Sequence, residues 1–247
     1  MKLREKMAAK GLGKNKGFRW RGDEITRFEG LSDAVFAFAV TLLIVSLEVP
    51  KTFGDLLITM RGFFAFAICF ALLMGTWYQQ YIYFRRYGLQ DTFTIVVNSI
   101  LLFVVLFYIY PLKFLFTLLV NQIMGIPIAY QQADGTLVSM IEKYQLPTLM
   151  IVYSAGFMAI SLVFALLFWH AYRKRAQLEL NPLEVFDTCT STGYSLINSG
   201  VAFVSILIAI IGGEEHAGWA GLIYPFLLAP LCTVFGTVTG RRRRRFE

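Results

Sequence analysis

The chain has 247 residues, of which 57% are hydrophobic and only 16% charged, and it includes 23 Phe and 12 Tyr. That is more apolar surface than a soluble fold of this size can bury, so a soluble globular domain is excluded and lipid has to cover the remainder. The net charge of +7 would fit a nucleic-acid-binding protein only if the basic residues gathered on one polar face, and they do not.

In chain order, residues 1–28 form a basic arm without an apolar segment, so no cleavable signal peptide is expected there. About 20 apolar residues in a helix cross a hydrocarbon core of roughly 30 Å. Runs of that kind predict a first helix over 29–49, a second over 54–84, a third over 91–119, a fourth over 147–170, a fifth over 188–211 and a sixth over 217–238. The alternating ten-residue pattern of a membrane β-barrel is missing. The expected fold class is therefore all-α, a polytopic membrane protein with six transmembrane helices. Pro147 suits the first turn of the fourth helix, and Pro182 is placed in the loop before the fifth. The connection over 120–146 is long, and a short interfacial helix through Val120 to Ile128 is one reading of it.

Orientation follows from Lys and Arg, which accumulate in cytoplasmic loops. The arm carries nine of them from Lys2 to Arg27, the second-to-third link has Arg85 and Arg86, the fourth-to-fifth link has Arg173, Lys174 and Arg175, and the end of the chain has Arg241 to Arg245. The other side has Lys51, Lys143 and Lys113. An even helix number with both termini in the cytosol explains this distribution, and attraction to anionic headgroups accounts for the basic excess without nucleic acid. The expected layout is a cytosolic arm over 1–28, a transmembrane domain over 29–240 and a basic cytosolic tail over 241–247, in a cell inner membrane.

Cys69, Cys189 and Cys232 are scattered in or beside apolar runs, and His170 and His216 stand far apart, so no disulfide framework, metal cluster or cofactor is indicated. No nucleophile and base pair, nor paired acids, suggests an enzyme. Attention falls on ionisable groups within the membrane, which are costly and functional by default. Asp33 lies near the start of the first helix beside Ser32, with Arg27 six residues earlier. Ser32 or Asp33 could cap that helix, or Arg27 and Asp33 could form a desolvated pair that anchors it. Arg61 in the second helix is close enough to its outer end to snorkel, or could serve a carrier mechanism.

The run Arg27-Phe28-Glu29-Gly30-Leu31-Ser32-Asp33, followed by Ala34-Val35-Phe36-Ala37-Phe38-Ala39-Val40-Thr41-Leu42-Leu43, resembles the opening of the first helix in the transmembrane protein 175 family of potassium channels. Its signature is R-x-x-x-F-S-D before an apolar helix; Leu31 here replaces the motif Phe. Trp77, Asn98 and Pro111-Leu112-Lys113-Phe114 match further landmarks of that family in order, whereas Gln80 and Tyr81 stand where bacterial members often carry a His pair. The resemblance covers about 27–114. It implies a homotetramer of six-helix subunits conducting potassium and other monovalent cations across the bilayer. The first helix would line one central pore, with a hydrophobic constriction in place of a carbonyl filter.

At 100° per residue, Ala34, Phe38, Thr41, Val45 and Glu48 share one stripe of the first helix, with Asp33 off it. Symmetry would turn Phe38, Thr41 and Val45 into pore rings and Glu48 into an acidic outer ring. Ordinary helix packing also accommodates such a stripe. Arg27, Ser32, Asp33, Trp77 and Asn98 would form the network that anchors this helix at its cytosolic end. The competing function is a proton- or ion-coupled secondary transporter using Asp33 and Arg61, although the paired broken helices usual in transporters are not evident. Thr192-Gly193-Tyr194 echoes part of an ordinary potassium filter, but no second Gly follows, and Gly193 is expected to serve close helix contact.

Overall fold

A computed structural model describes residues 18–22, 24–45, 52–125, 129–131 and 137–244. The helices are α1 (Arg27–Val45), α2 (Phe53–Arg61), α3 (Phe63–Tyr87), α4 (Thr92–Ile123), α5 (Leu146–Arg173), α6 (Pro182–Ile223) and α7 (Ala229–Arg243). Among the described residues, four stretches are long and apolar enough to cross a membrane: Phe63–Tyr87, Thr92–Ile123, Lys143–Arg173 and Pro182–Arg243.

Several boundaries differ from the sequence expectations, each for a local reason. The second helix is interrupted by a turn at Gly62, which separates α2 from α3. The helix placed at 188 begins at Pro182 instead. Asn181 caps it, its Oδ1 accepting from Glu184 N at 2.8 Å while Glu184 Oε2 accepts from Asn181 N at 3.1 Å, and proline takes the first helical position where its missing N–H costs nothing. Val120–Ile123 prolongs α4 rather than forming a separate helix; beyond it Ala129–Gln131 and Leu137–Ser139 pair as an antiparallel hairpin. Pro147 lies in the first turn of α5, as expected.

The expected fifth and sixth helices meet at Gly213, whose φ of 55° and ψ of −148° break the helical path between them. A positive φ is open to glycine at little cost. The chain doubles back there: Ser205 Oγ donates to Ala220 O at 2.7 Å, the Tyr194 and Phe235 rings meet edge to face at 4.8 Å, and Arg243 pairs with Asp187 at 3.0 Å. A single π turn over Tyr224–Leu228 leads into α7. Thr192 and Gly193 lie inside α6, and a Cβ on Gly193 would stand 2.6 Å from the Phe235 ring, so this glycine makes room for the returning arm.

The core joins α1, α3, α4 and α5 through Phe36, Leu43, Tyr83, Leu101, Phe164 and Leu167. Between α5 and α6 the seam is built from small residues, with Ser154 and Ser205 hydroxyls 2.8 Å apart, as expected where apolar side chains gain nothing by leaving lipid. Gly156 lets α5 approach α4, because a Cβ there would fall 2.1 Å from the Tyr108 ring, which is itself held by its hydroxyl donating to Tyr153 O at 2.9 Å. Gly156→Ala is therefore expected to cost about 1–3 kcal/mol through overpacking. Melting of the detergent-solubilised protein checks this; an unchanged midpoint would mean that Tyr108 moves aside freely.

Candidate pore helix and its anchoring network

The start of α1 settles what Ser32 and Asp33 do. Thr26 caps the helix, its Oγ1 accepting from Glu29 N at 3.1 Å, and Glu29 Oε1 in turn accepts from Thr26 Oγ1 at 3.3 Å. Ser32 and Asp33 consequently lie more than a turn inside the helix and are free for tertiary contacts. Ser32 is 1% exposed; its hydroxyl donates to Phe28 O at 3.0 Å and accepts from Asn98 Nδ2 at 3.0 Å. Asn98 Oδ1 accepts from Gln80 Nε2 at 2.6 Å. Asp33 Oδ1 accepts from Trp77 Nε1 at 2.8 Å. Four of the five expected network residues are thus brought together from α1, α3 and α4. Gln80 joins them, occupying the position three after Trp77 and hence the same helix face.

Arg27 is not in that network. Its side chain is exposed, and among the described residues no carboxylate pairs with it. Six residues along a helix turn about 240°, so Arg27 and Asp33 leave α1 in different directions. The acid of the first turn that does find a cation is Glu29, which meets Arg85 of α3 at 3.5 Å. Arg85 also lies over the Tyr81 ring at 5.4 Å, and Tyr81 stacks on Trp77 at 5.7 Å. At the other end of α1, Lys113 Nζ donates to Leu43 O at 2.6 Å, tying that turn to α4.

Between these two attachments α1 has two unlike faces. Phe36 is 3% exposed and Ala39 and Leu43 are fully buried, whereas Phe38 is 56% exposed and Ala34 and Thr41 are also exposed. Thr41 Oγ1 donates to Ala37 O at 3.1 Å, leaving the lone pairs of the hydroxyl free. The side chains of Val45 and Arg61 and all of Glu48 lie outside the described residues. His170 is engaged at the end of α5, where its Nε2 lies 2.6 Å from Asp91 Oδ2, and Lys174 closes on the same carboxylate. Burial alone would raise the Asp91 carboxyl, but bonds from Lys174, Thr94 and His170 hold it well below the ordinary carboxylate range. No group of three metal-ligating side chains occurs among the described residues.

A family model described as endosomal/lysosomal potassium channel TMEM175 matches residues 27–108, which contain the whole α1–α3–α4 network. A potassium channel of Marivirga tractuosa is 43% identical over 237 residues, covering 95% of each chain. The chain belongs to the TMEM175 family of potassium channels. The members it matches are channels rather than enzymes. Its fold agrees with the crystal structure of a variant of the potassium channel MtTMEM175, solved with a nanobody–MBP fusion protein, at a TM-score of 0.79 and 42% identity over 93% of this chain and 99% of that one. A lysosomal potassium-selective channel TMEM175 homologue from Chamaesiphon minutus shares the fold at a TM-score of 0.53 and 22% identity, covering 86% of this chain and 96% of the other. Membership makes this an integral membrane protein and places the network residues in the segment that the family model describes.

Proposed function

We propose that the chain forms a potassium-favouring cation channel, a homotetramer of six-helix subunits in which α1 of each copy lines one central pore. The observation that carries this is the division of α1: Phe36, Ala39 and Leu43 are locked into the subunit, while Ala34, Phe38 and Thr41 remain uncovered. Six crossings arise if α1, the α2–α3 pair, α4, α5 and the two arms that meet at Gly213 each span the bilayer once. Both termini then lie on the cytosolic side of a cell inner membrane, with residues 1–28 as arm, 29–240 as transmembrane domain and 241–247 as tail.

In this arrangement Phe38 and Val45 form apolar rings that resist hydration, and the Thr41 ring offers hydroxyl lone pairs to a partly dehydrated ion. Glu48 concentrates cations at the outer mouth. Ser32, Asp33, Trp77, Asn98 and Gln80 hold the cytosolic half of α1 so that the rings keep their register. Potassium is favoured because the similar channels of known type are potassium channels. A reversal potential measured after reconstitution in opposed potassium and sodium gradients tests the reading. It should lie close to the potassium equilibrium value; a potential near zero would remove the selectivity, and coupled transport without current would replace the channel by a carrier.

A further inference from the structure

The segment before α1 is not a free arm where it is described. Phe18 is fully buried, with its ring edge to face against Tyr87 at 5.6 Å and the Arg86 guanidinium over it at 4.9 Å. The backbone N–H groups of Arg21 and Gly22 both donate to Arg85 O, and Arg85 Nη1 donates back to Gly22 O at 2.7 Å. Gly22 lies so close to the end of α3 that a Cβ would stand 2.5 Å from Phe84 O. One edge of this strap, residues 18–22, is therefore bound to α3.

Its other edge is bound to the turn between α5 and α6. Arg21 forks onto Glu184, with Nη2 at 2.6 Å from Oε2 and Nη1 at 3.2 Å from Oε1, and also donates to Leu178 O and Glu179 O. Arg19 N donates to Glu184 Oε1 at 2.7 Å. Glu184 is 1% exposed, so this is a desolvated pair held by several hydrogen bonds. Arg85 completes the linkage, since the side chain that grips Gly22 also meets Glu29 in the first turn of α1.

From this geometry we infer that Arg21 and Glu184 form a gating latch, in which the strap couples the α5–α6 turn to the cytosolic end of α1 and sets the balance between conducting and non-conducting positions of that helix. Arg21 and Glu184 are positioning residues: they lie away from the stripe of Phe38 and Thr41 and act through Arg85 and Glu29. Displacement of the α5–α6 turn pulls on the strap, and the strap pulls on the first turn of α1. A latch of this kind changes how often the pore opens and not what passes through it. The inference rests on the assignment of α1 to the pore.

Single-channel recording of the full chain in planar bilayers separates these quantities. Arg21→Gln is expected to change open probability about tenfold, because it leaves a buried carboxylate without its partner and a tenfold bias needs only a modest difference between two states. Unitary conductance and reversal potential should stay at the unaltered values. Arg21→Lys keeps the charge but not the fork, so its effect should be intermediate, and it serves if Arg21→Gln does not assemble. Arg21→Gln combined with Glu184→Gln should be less than additive in open probability. Gly156→Ala crowds Tyr108 between α5 and α4 without touching Arg21 or Glu184 and should lower stability with gating intact. Unchanged open probability in assembled Arg21→Gln or Arg21→Lys channels would overturn the latch, as would a gating change in Gly156→Ala of the same size. Phe38→Asn in the same recordings keeps the two readings apart. If it alters conductance while Arg21 variants gate normally, only the latch fails; if it alters nothing, the pore assignment fails first.

Discussion

Phe38→Asn is expected to raise unitary current severalfold and to shift the reversal potential in a potassium/sodium gradient toward zero. An apolar ring blocks ions because nothing in it replaces their hydration, so polar side chains at the narrowest point lower the barrier for every cation, including the one that is normally rejected. Phe36→Asn makes the comparison. It lies about 160° away on the same helix and is 3% exposed within the subunit core, where an amide with no partner costs about 1–3 kcal/mol. That substitution should reduce the yield of assembled protein and leave the unitary current of the surviving channels as it was. Thr41→Val, which loses the hydroxyl but keeps the shape, should lower conductance while assembly continues. If Phe36→Asn changes permeation and Phe38→Asn does not, the wrong face of α1 has been assigned to the pore.

The second large effect is expected at Asn98. It is fully buried and joins two partners, Gln80 on α3 and Ser32 on α1. Asn98→Leu leaves the Gln80 amide buried without its acceptor and deprives the Ser32 hydroxyl of its donor. Each buried polar group stranded in this way costs about 1–3 kcal/mol. Melting in detergent should therefore fall by several degrees or the assembled form should be lost, while Asn98→Leu combined with Gln80→Leu should recover part of the difference, because replacing both partners removes the stranded amide. A double variant that melts as low as the sum of the two single changes would show that the Gln80–Asn98 contact carries no coupling.

The sequence made the membrane class visible because apolar runs of helical length report directly on the solvent that surrounds them. It also brought Ser32, Asp33, Trp77 and Asn98 into view, since polar groups stand out against an apolar background and the family signature orders them. The missing pieces depend on distance along the chain. Nothing local connects Arg21 to Glu184 across 163 residues, and charge in a basic arm reads as topology until a partner is seen. Arg27 looked like the partner of Asp33 because the two are close in sequence, but helical rotation separates them and Glu29 takes the neighbouring cation instead. The Gly212-Gly213 pair between two apolar runs reads as the loop of a hairpin, and the positive φ of Gly213 is where the helical path breaks.

The strap has a further consequence for how the chain comes together during synthesis. Every hydrogen bond of the Ser32–Asn98–Gln80 group uses residues made in the first two-fifths of the chain, so α1 can be seated against α3 and α4 while the remainder is still on the ribosome. Glu184 emerges much later, and until then the Arg21 fork lacks its acceptor. The strap, made before α1, is thus fastened at its second edge only after α1, α3, α4 and α5 have been made. Closure of the strap onto Glu184 marks a subunit in which α1 to α5 have already been delivered, while most of α6 and all of α7 are still to come.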